Sequence, residues 1–180
     1  MPSTLKFPVI GIGASAGGMV ALRRFFEQRP ASSGMAFVVV LHLSPRHESH
    51  ADTVLQRTTR MPVVQVKQPT AIEANHVYVI SPSYSLLMKD GYLRVEATER
   101  PPGRHVAIDQ FFRTLADAHM DRAMAIVLSG TASDGTVGLA RVKQQGGVTP
   151  RSCRRSTRSC ARPPKSWKRA GKSCSRSTRN

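Results

Sequence analysis

The stretch Pro8 to Leu22, PVIGIGASAGGMVAL, constrains the chain more than any other. Its apolar opening, Val9-Ile10-Gly11-Ile12, reads as a buried strand, and Met19, Leu22, Phe25 and Phe26 then recur at the spacing of one helical face. Between them Gly13-Ala14-Ser15-Ala16-Gly17-Gly18 must turn sharply from strand to helix, and glycine permits the crowded backbone angles of such a turn. A serine between small residues there presents its hydroxyl at the end of a sheet. The free N–H groups of the helix start lie beside it and favour negative charge. This is the setting a nucleophile needs. Two plainer uses compete with it. Gly11, Gly13 and Gly17 give G-x-G-x-x-x-G, one residue longer than the dinucleotide fingerprint. Yet the second strand ends in His42, not in the acidic residue such a site wants. The other use is that Ser15 simply caps the helix.

The β-branched run Ala36 to Leu41 suits the centre of a parallel sheet covered on both faces. With the first strand and helix, which ends near Arg29-Pro30, it makes a βαβ unit. A polar loop, Arg46 to His50, leads into a helix from about Ala51 to Thr58, followed by a short strand from Pro62 to Val66. His76 to Ile80 and Leu86 to Glu96 are extended, and Asp90-Gly91 is a strong hairpin turn, so an antiparallel ribbon is expected at one edge of the sheet. Ile108, Phe111, Phe112, Leu115 and Ala116 mark an amphipathic helix. It leads into a buried strand, Ala123 to Leu128, and a last helix from Thr136 to about Gln144, with the ordered part closing at Gly146-Gly147. The expected fold is a doubly wound α/β domain, its sheet mainly parallel with helices on both faces.

A chain of 180 residues suffices for one such domain and not for two ordinary ones. It holds no apolar run long enough to span a membrane and no secretory signal at its start, which points to the cytoplasm. The net charge of +16 would ordinarily suggest nucleic acid, but its distribution argues otherwise. Up to position 150 there are 16 Lys and Arg against 11 acids; the last 30 residues hold 11 basic residues and no acid. That tail also holds Trp167 and all three cysteines, Cys153, Cys160 and Cys174, in a spacing that supports neither a disulfide framework nor a zinc site.

Three strands end in residues with chemical capacity: Ser15, His42 and, after the strand from Ala123, Asp134. Ligands of open α/β sheets bind outside the carboxyl ends of the strands, so all three fall at one edge. Singly each has a dull use, Asp134 for instance as the cap of its own helix. Together they supply a nucleophile, a base and an orienting carboxylate, the minimum for acyl transfer. Backbone N–H groups at the first helix start, near Ala16 and Gly17, and in the loop at Thr131 would meet the oxyanion. The histidines at 47, 50, 76, 105 and 119 are expected at the surface; only His42 leaves a buried strand directly.

These residues carry a family resemblance. The blocks GIGASAGG (11–18), VVVLHLSP (38–45), NHVYVISP (75–82), AIDQFF (107–112) and VLSGTASDGTVG (127–138) resemble the catalytic domain of the CheB-type chemotaxis protein-glutamate methylesterases. The wording HLSP and SGTASDG is most similar to the branch fused to a methyltransferase domain. The resemblance implies hydrolysis of γ-glutamyl methyl esters on the cytoplasmic helices of methyl-accepting chemotaxis receptors, and deamidation of certain glutamines. It implies Ser15 as nucleophile, His42 as base and Asp134 as third member, with no cofactor and no metal.

Departures set further expectations. About seven residues precede the first strand, so an attached phosphoacceptor domain is not expected. Ala16 and Thr131 stand where many relatives have threonine and methionine. After Thr149 the chain loses aliphatic residues and periodicity, and residues 150–180 cannot bury a face. That tail fits out-of-frame translation or another truncation better than a binding arm, which leaves residues 1–149 as an incomplete catalytic domain of reduced activity. The alternatives are a non-catalytic fragment or nucleic-acid-binding protein acting through its basic tail and, third, a dinucleotide-binding protein.

Overall fold

The computed structural model describes residues 5–41, 49–82, 84–97, 107–129 and 134–149. In chain order the elements are β1 (Val9–Ala14), α1 (Met19–Glu27), β2 (Ala36–Leu41), α2 (Ala51–Gln56), β3 (Val63–Val66), β4 (Thr70–Ala71), β5 (Val77–Ile80), β6 (Tyr84–Lys89), β7 (Tyr92–Ala97), α3 (Ala107–His119), β8 (Ala123–Ser129) and α4 (Thr136–Gln144). Short 3-10 turns at Ala16–Gly18 and Met120–Arg122 precede α1 and β8. The tail from 150 to 180 lies outside the described residues.

Strands β3, β5, β2, β1 and β8 form one five-stranded sheet in that order, and every pair within it is parallel. Every residue of β1 and β2 is buried, as expected of strands covered on both faces. The two faces are closed by different means. On one, Phe37 of β2 meets Phe25 and Phe26 of α1 in edge-to-face pairs, with ring centroids 6.1 and 5.5 Å apart. On the other, α3 settles over the glycines of β1. A Cβ on Gly11 would stand 2.8 Å from Phe112 Cε1, and one on Gly13 only 2.6 Å from Ile108 Cγ2. The spacing that resembles a dinucleotide fingerprint therefore serves close helix–sheet approach at its first two positions.

The expected ribbon is present, joined by Asp90 and Gly91 with φ of 52° and 80°, the positive angles of a two-residue hairpin turn. It gains β4 as a third strand and forms a sheet of its own, in the order β4-β7-β6. Thr114 of α3 ties it down by accepting the Met88 N–H at 3.0 Å. At the far side of the large sheet the described chain runs past Gly146-Gly147. Val148 forms a parallel bridge with Met124, donating to Ala123 O and accepting from Ala125 N.

Candidate active site

In a parallel sheet all carboxyl ends share one edge, and β2, β1 and β8 are neighbours there. Ala14, the last residue of β1, pairs with Leu41 of β2 and with Ser129 of β8. The pairing with β8 shifts by one residue between Gly13 and Ala14, the kind of bulge that re-aims a strand end beside a site. The chain leaves β1 toward β2 through α1 and returns on the opposite side as β8. The crevice between β1 and β8 is thus the topological switch point of the sheet.

Ser15 follows β1 directly, half-buried and in an extended conformation, with φ −80° and ψ 174°. Its carbonyl accepts the Gly18 N–H at 2.8 Å and closes the turn, but its side chain makes no cap hydrogen bond. The plain use of this serine as a helix cap is therefore not what the fold makes of it. Gly17 is exposed, and a Cβ there would meet nothing within 4 Å among the described residues. Ala16 and Gly17 occupy the start of the turn, where backbone N–H groups have no partner within the helix itself. Gly18 N is committed to the turn. His42, which follows the last residue of β2, and Thr131 lie outside the described residues.

Asp134 is buried, with 6% of its surface exposed. It does not cap its own helix: α4 is capped by Gly135, at φ 98° and without a side-chain bond. Asp134 reaches across to α3 instead: Oδ2 accepts the Ile108 N–H at 3.1 Å and Oδ1 the Asp109 N–H at 2.8 Å. A carboxylate in that place satisfies N–H groups at the start of a helix and lies at the positive end of its dipole. Asp109 is buried as well, and its own Oδ1 accepts the Gly138 N–H at 2.6 Å. Asp109 was not among the site residues expected from the sequence; its signals there are its place in the block AIDQFF and a carboxylate in the first turn of the helix, next to Ile108.

The other histidines divide. His50 is exposed, and His76 is half-buried with Nδ1 3.0 Å from Ala74 O. His47 and His105 lie outside the described residues. His119 corrects the expectation of a surface residue: it is 1% exposed at the end of α3, and neither ring nitrogen has a hydrogen-bond partner among the described residues. The cause is packing, since Leu115, Ala116 and Ala118 on the same helix are also buried. Among the described residues no group of three or more His, Cys, Asp or Glu side chains could hold a metal ion. No helix among them is long and apolar enough to cross a membrane.

The family model described as CheB methylesterase matches residues 10–172, running into the basic tail. A putative protein-glutamate methylesterase/protein-glutamine glutaminase of Leptospira interrogans is 29% identical over 145 residues, covering 80% of this chain and 75% of that protein. A protein-glutamate methylesterase/protein-glutamine glutaminase of Vibrio vulnificus is 30% identical over 152 residues, covering 82% of this chain and 44% of its own length. In fold, the chain is similar to the crystal structure of the Thermotoga maritima CheB methylesterase catalytic domain, with a TM-score of 0.71 at 22% identity. That match covers 81% of this chain and 79% of the other.

Proposed function

The chain belongs to the CheB methylesterase family, a family of ester hydrolases, and from that premise we propose that it hydrolyses γ-glutamyl methyl esters on the cytoplasmic helices of chemoreceptors by a Ser-His-Asp mechanism. Glutamine deamidation follows the same chemistry with ammonia as leaving group. The observation that supports the proposal is the adjacency of β2, β1 and β8, whose carboxyl ends share one edge of the sheet, with Ser15 following β1 directly and Ala14 paired with Leu41 and Ser129.

In the proposed reaction Ser15 Oγ attacks the ester carbonyl and gives its proton to His42. The oxyanion is met by backbone N–H groups at Ala16 and Gly17, with the loop at Thr131 as a further source; each such donor contributes about 3 to 4 kcal/mol. Collapse breaks the bond to methoxide, which leaves as methanol with the proton from His42. Water, deprotonated by His42, then attacks the acyl-serine and releases the glutamate carboxylate and the free hydroxyl. Asp134 holds the imidazole tautomer and stabilises its cation. Its bonds to Ile108 and Asp109 keep that carboxylate in one orientation. Neither a cofactor nor a metal takes part, and the setting proposed is the cytoplasm. A methyltransferase that makes the ester is the natural counterpart.

Methanol release from a receptor fragment esterified at glutamate tests this. Turnover that disappears in Ser15→Ala and in His42→Ala is expected, at the reduced rate that the departure after Thr149 implies. Release that survives Ser15→Ala overturns the assignment. Salt-dependent DNA binding that vanishes with residues 150–180, in a protein without esterase activity, would favour the binding reading.

A further inference from the structure

We infer that Asp109 is a positioning residue for the esterase site, locking the start of α4, and with it Asp134, against the start of α3. The inference rests on the assignment of Asp134 to the catalytic set. Its basis is a closed ring of hydrogen bonds. Asp109 donates its backbone N–H to Asp134 Oδ1 at 2.8 Å, while its carboxylate accepts the N–H of Gly138 at 2.6 Å, four residues beyond Asp134. Each helix start is thus capped by an aspartate carried at the start of the other.

Both carboxylates are buried, Asp109 at 9% exposure and Asp134 at 6%. A buried carboxylate keeps its place only where donors replace water, and charge-assisted N–H bonds at helix starts do this well. The ring exists because the helices are close. A Cβ on Gly138 would stand 2.5 Å from Phe112 Cβ and 3.1 Å from Asp109 O, so only glycine lets α4 approach near enough for a side chain as short as aspartate to reach it. Without the Asp109 carboxylate the Gly138 N–H loses its partner in a buried place. The turn that carries Asp134 is then free to shift by tenths of an ångström. Ile108 and Asp109 N–H groups would still hold the Asp134 oxygens, but against a helix start no longer tied to α4. Such a shift matters for a group that must aim a lone pair at an imidazole.

A merely structural cap and a positioning residue differ in what they change. The test measures covalent labelling of the full chain by a fluorophosphonate probe, in which the Ser15 Oγ–P bond forms, fluoride leaves and His42 takes the proton. Wild type, Asp109→Ala, Asp109→Asn and Asp134→Ala are compared across pH, with thermal melting alongside and all rates taken below the melting range. Asp109→Ala is expected to slow labelling by on the order of 10- to 100-fold. The pH midpoint of its rate should move downward, because an imidazole with a loosened carboxylate partner is less basic. Asp109→Asn, whose Oδ1 still accepts the Gly138 N–H, should recover most of the rate.

Wild-type rate and midpoint in Asp109→Ala, with only a lowered melting temperature, would overturn the inference while leaving Asp134 in place. Wild-type labelling in Asp134→Ala as well would overturn the catalytic assignment and this inference together, as would an unlabelled wild-type chain. Should Asp109→Ala not fold, Asp109→Ser, which keeps an acceptor oxygen without the charge or the reach, decides in its place. A slowed rate with a lowered midpoint supports positioning, and wild-type values refute it.

Discussion

His119 should make this fold sensitive to acid over a defined window. The ring is 1% exposed, and both nitrogens lack hydrogen-bond partners among the described residues. Burial disfavours the charged form, the Arg122 charge adds to it, and the pKa falls from 6.5 to about 4. The folded imidazole is therefore neutral at pH 7. The unfolded chain takes up a proton as pH drops through 6.5, whereas the native state refuses it until about pH 4. Stability is thus highest above 6.5, declines as pH falls toward 4, and changes no further on this account below that. At about 1.4 kcal/mol per pH unit, the full window is worth about 3 kcal/mol, and about 2 kcal/mol is lost between pH 7 and 4.5. Against a typical total of about 5 to 15 kcal/mol that is a large fraction.

Urea unfolding of wild type and His119→Leu at pH 7 and 4.5 isolates the effect, because every other titrating group is common to both chains. At pH 7 the leucine variant should match or exceed wild type, since leucine removes two buried, unsatisfied nitrogens. At pH 4.5 its advantage should grow by about 2 kcal/mol. A difference between the two chains that does not change with pH would refute the reasoning, and would mean that the folded ring is protonated or solvated.

Three smaller tests use the packing. Gly13→Ala puts a methyl 2.6 Å from Ile108 Cγ2 and should cost about 1 to 3 kcal/mol in thermal denaturation; it should also lower esterase activity, because Ile108 N holds Asp134. Gly17→Ala, with nothing among the described residues within 4 Å of its new Cβ, should melt no lower than wild type. Arg141→Ala breaks a 2.7 Å ion pair with Asp117 between two half-exposed side chains, and urea midpoints should register a loss within about 1 kcal/mol.

What was legible in the sequence was whatever leaves a local pattern. The runs Ala36–Leu41 and Ala123–Leu128 could only be buried strands, Asp90-Gly91 could only be a hairpin, and a serine between small residues after a strand announces itself. From these the parallel sheet and the shared edge followed. The pairings that hold the edge together were not legible, because no spacing encodes them. Asp134 looked like the cap of the helix beside it and caps α3, whose start lies 25 residues earlier in the chain. Asp109 had no assigned role in the sequence and caps α4. His119 looked like a surface histidine at a helix end, and packing took it inside.

The reading of Asp134 as a cap of its own helix has a plain physical source. A polar side chain near a helix start is read as serving its own helix, since local bonds cost the least chain entropy. When two helix starts are pressed together by a glycine such as Gly138, the exchange of caps becomes available and binds two segments rather than one. The same economy would serve the role proposed for Asp134, a carboxylate that orients an imidazole. A group immobilised by backbone N–H bonds from Ile108 and Asp109 has little entropy left to lose when it meets a further donor, which is what the proposed site requires of it.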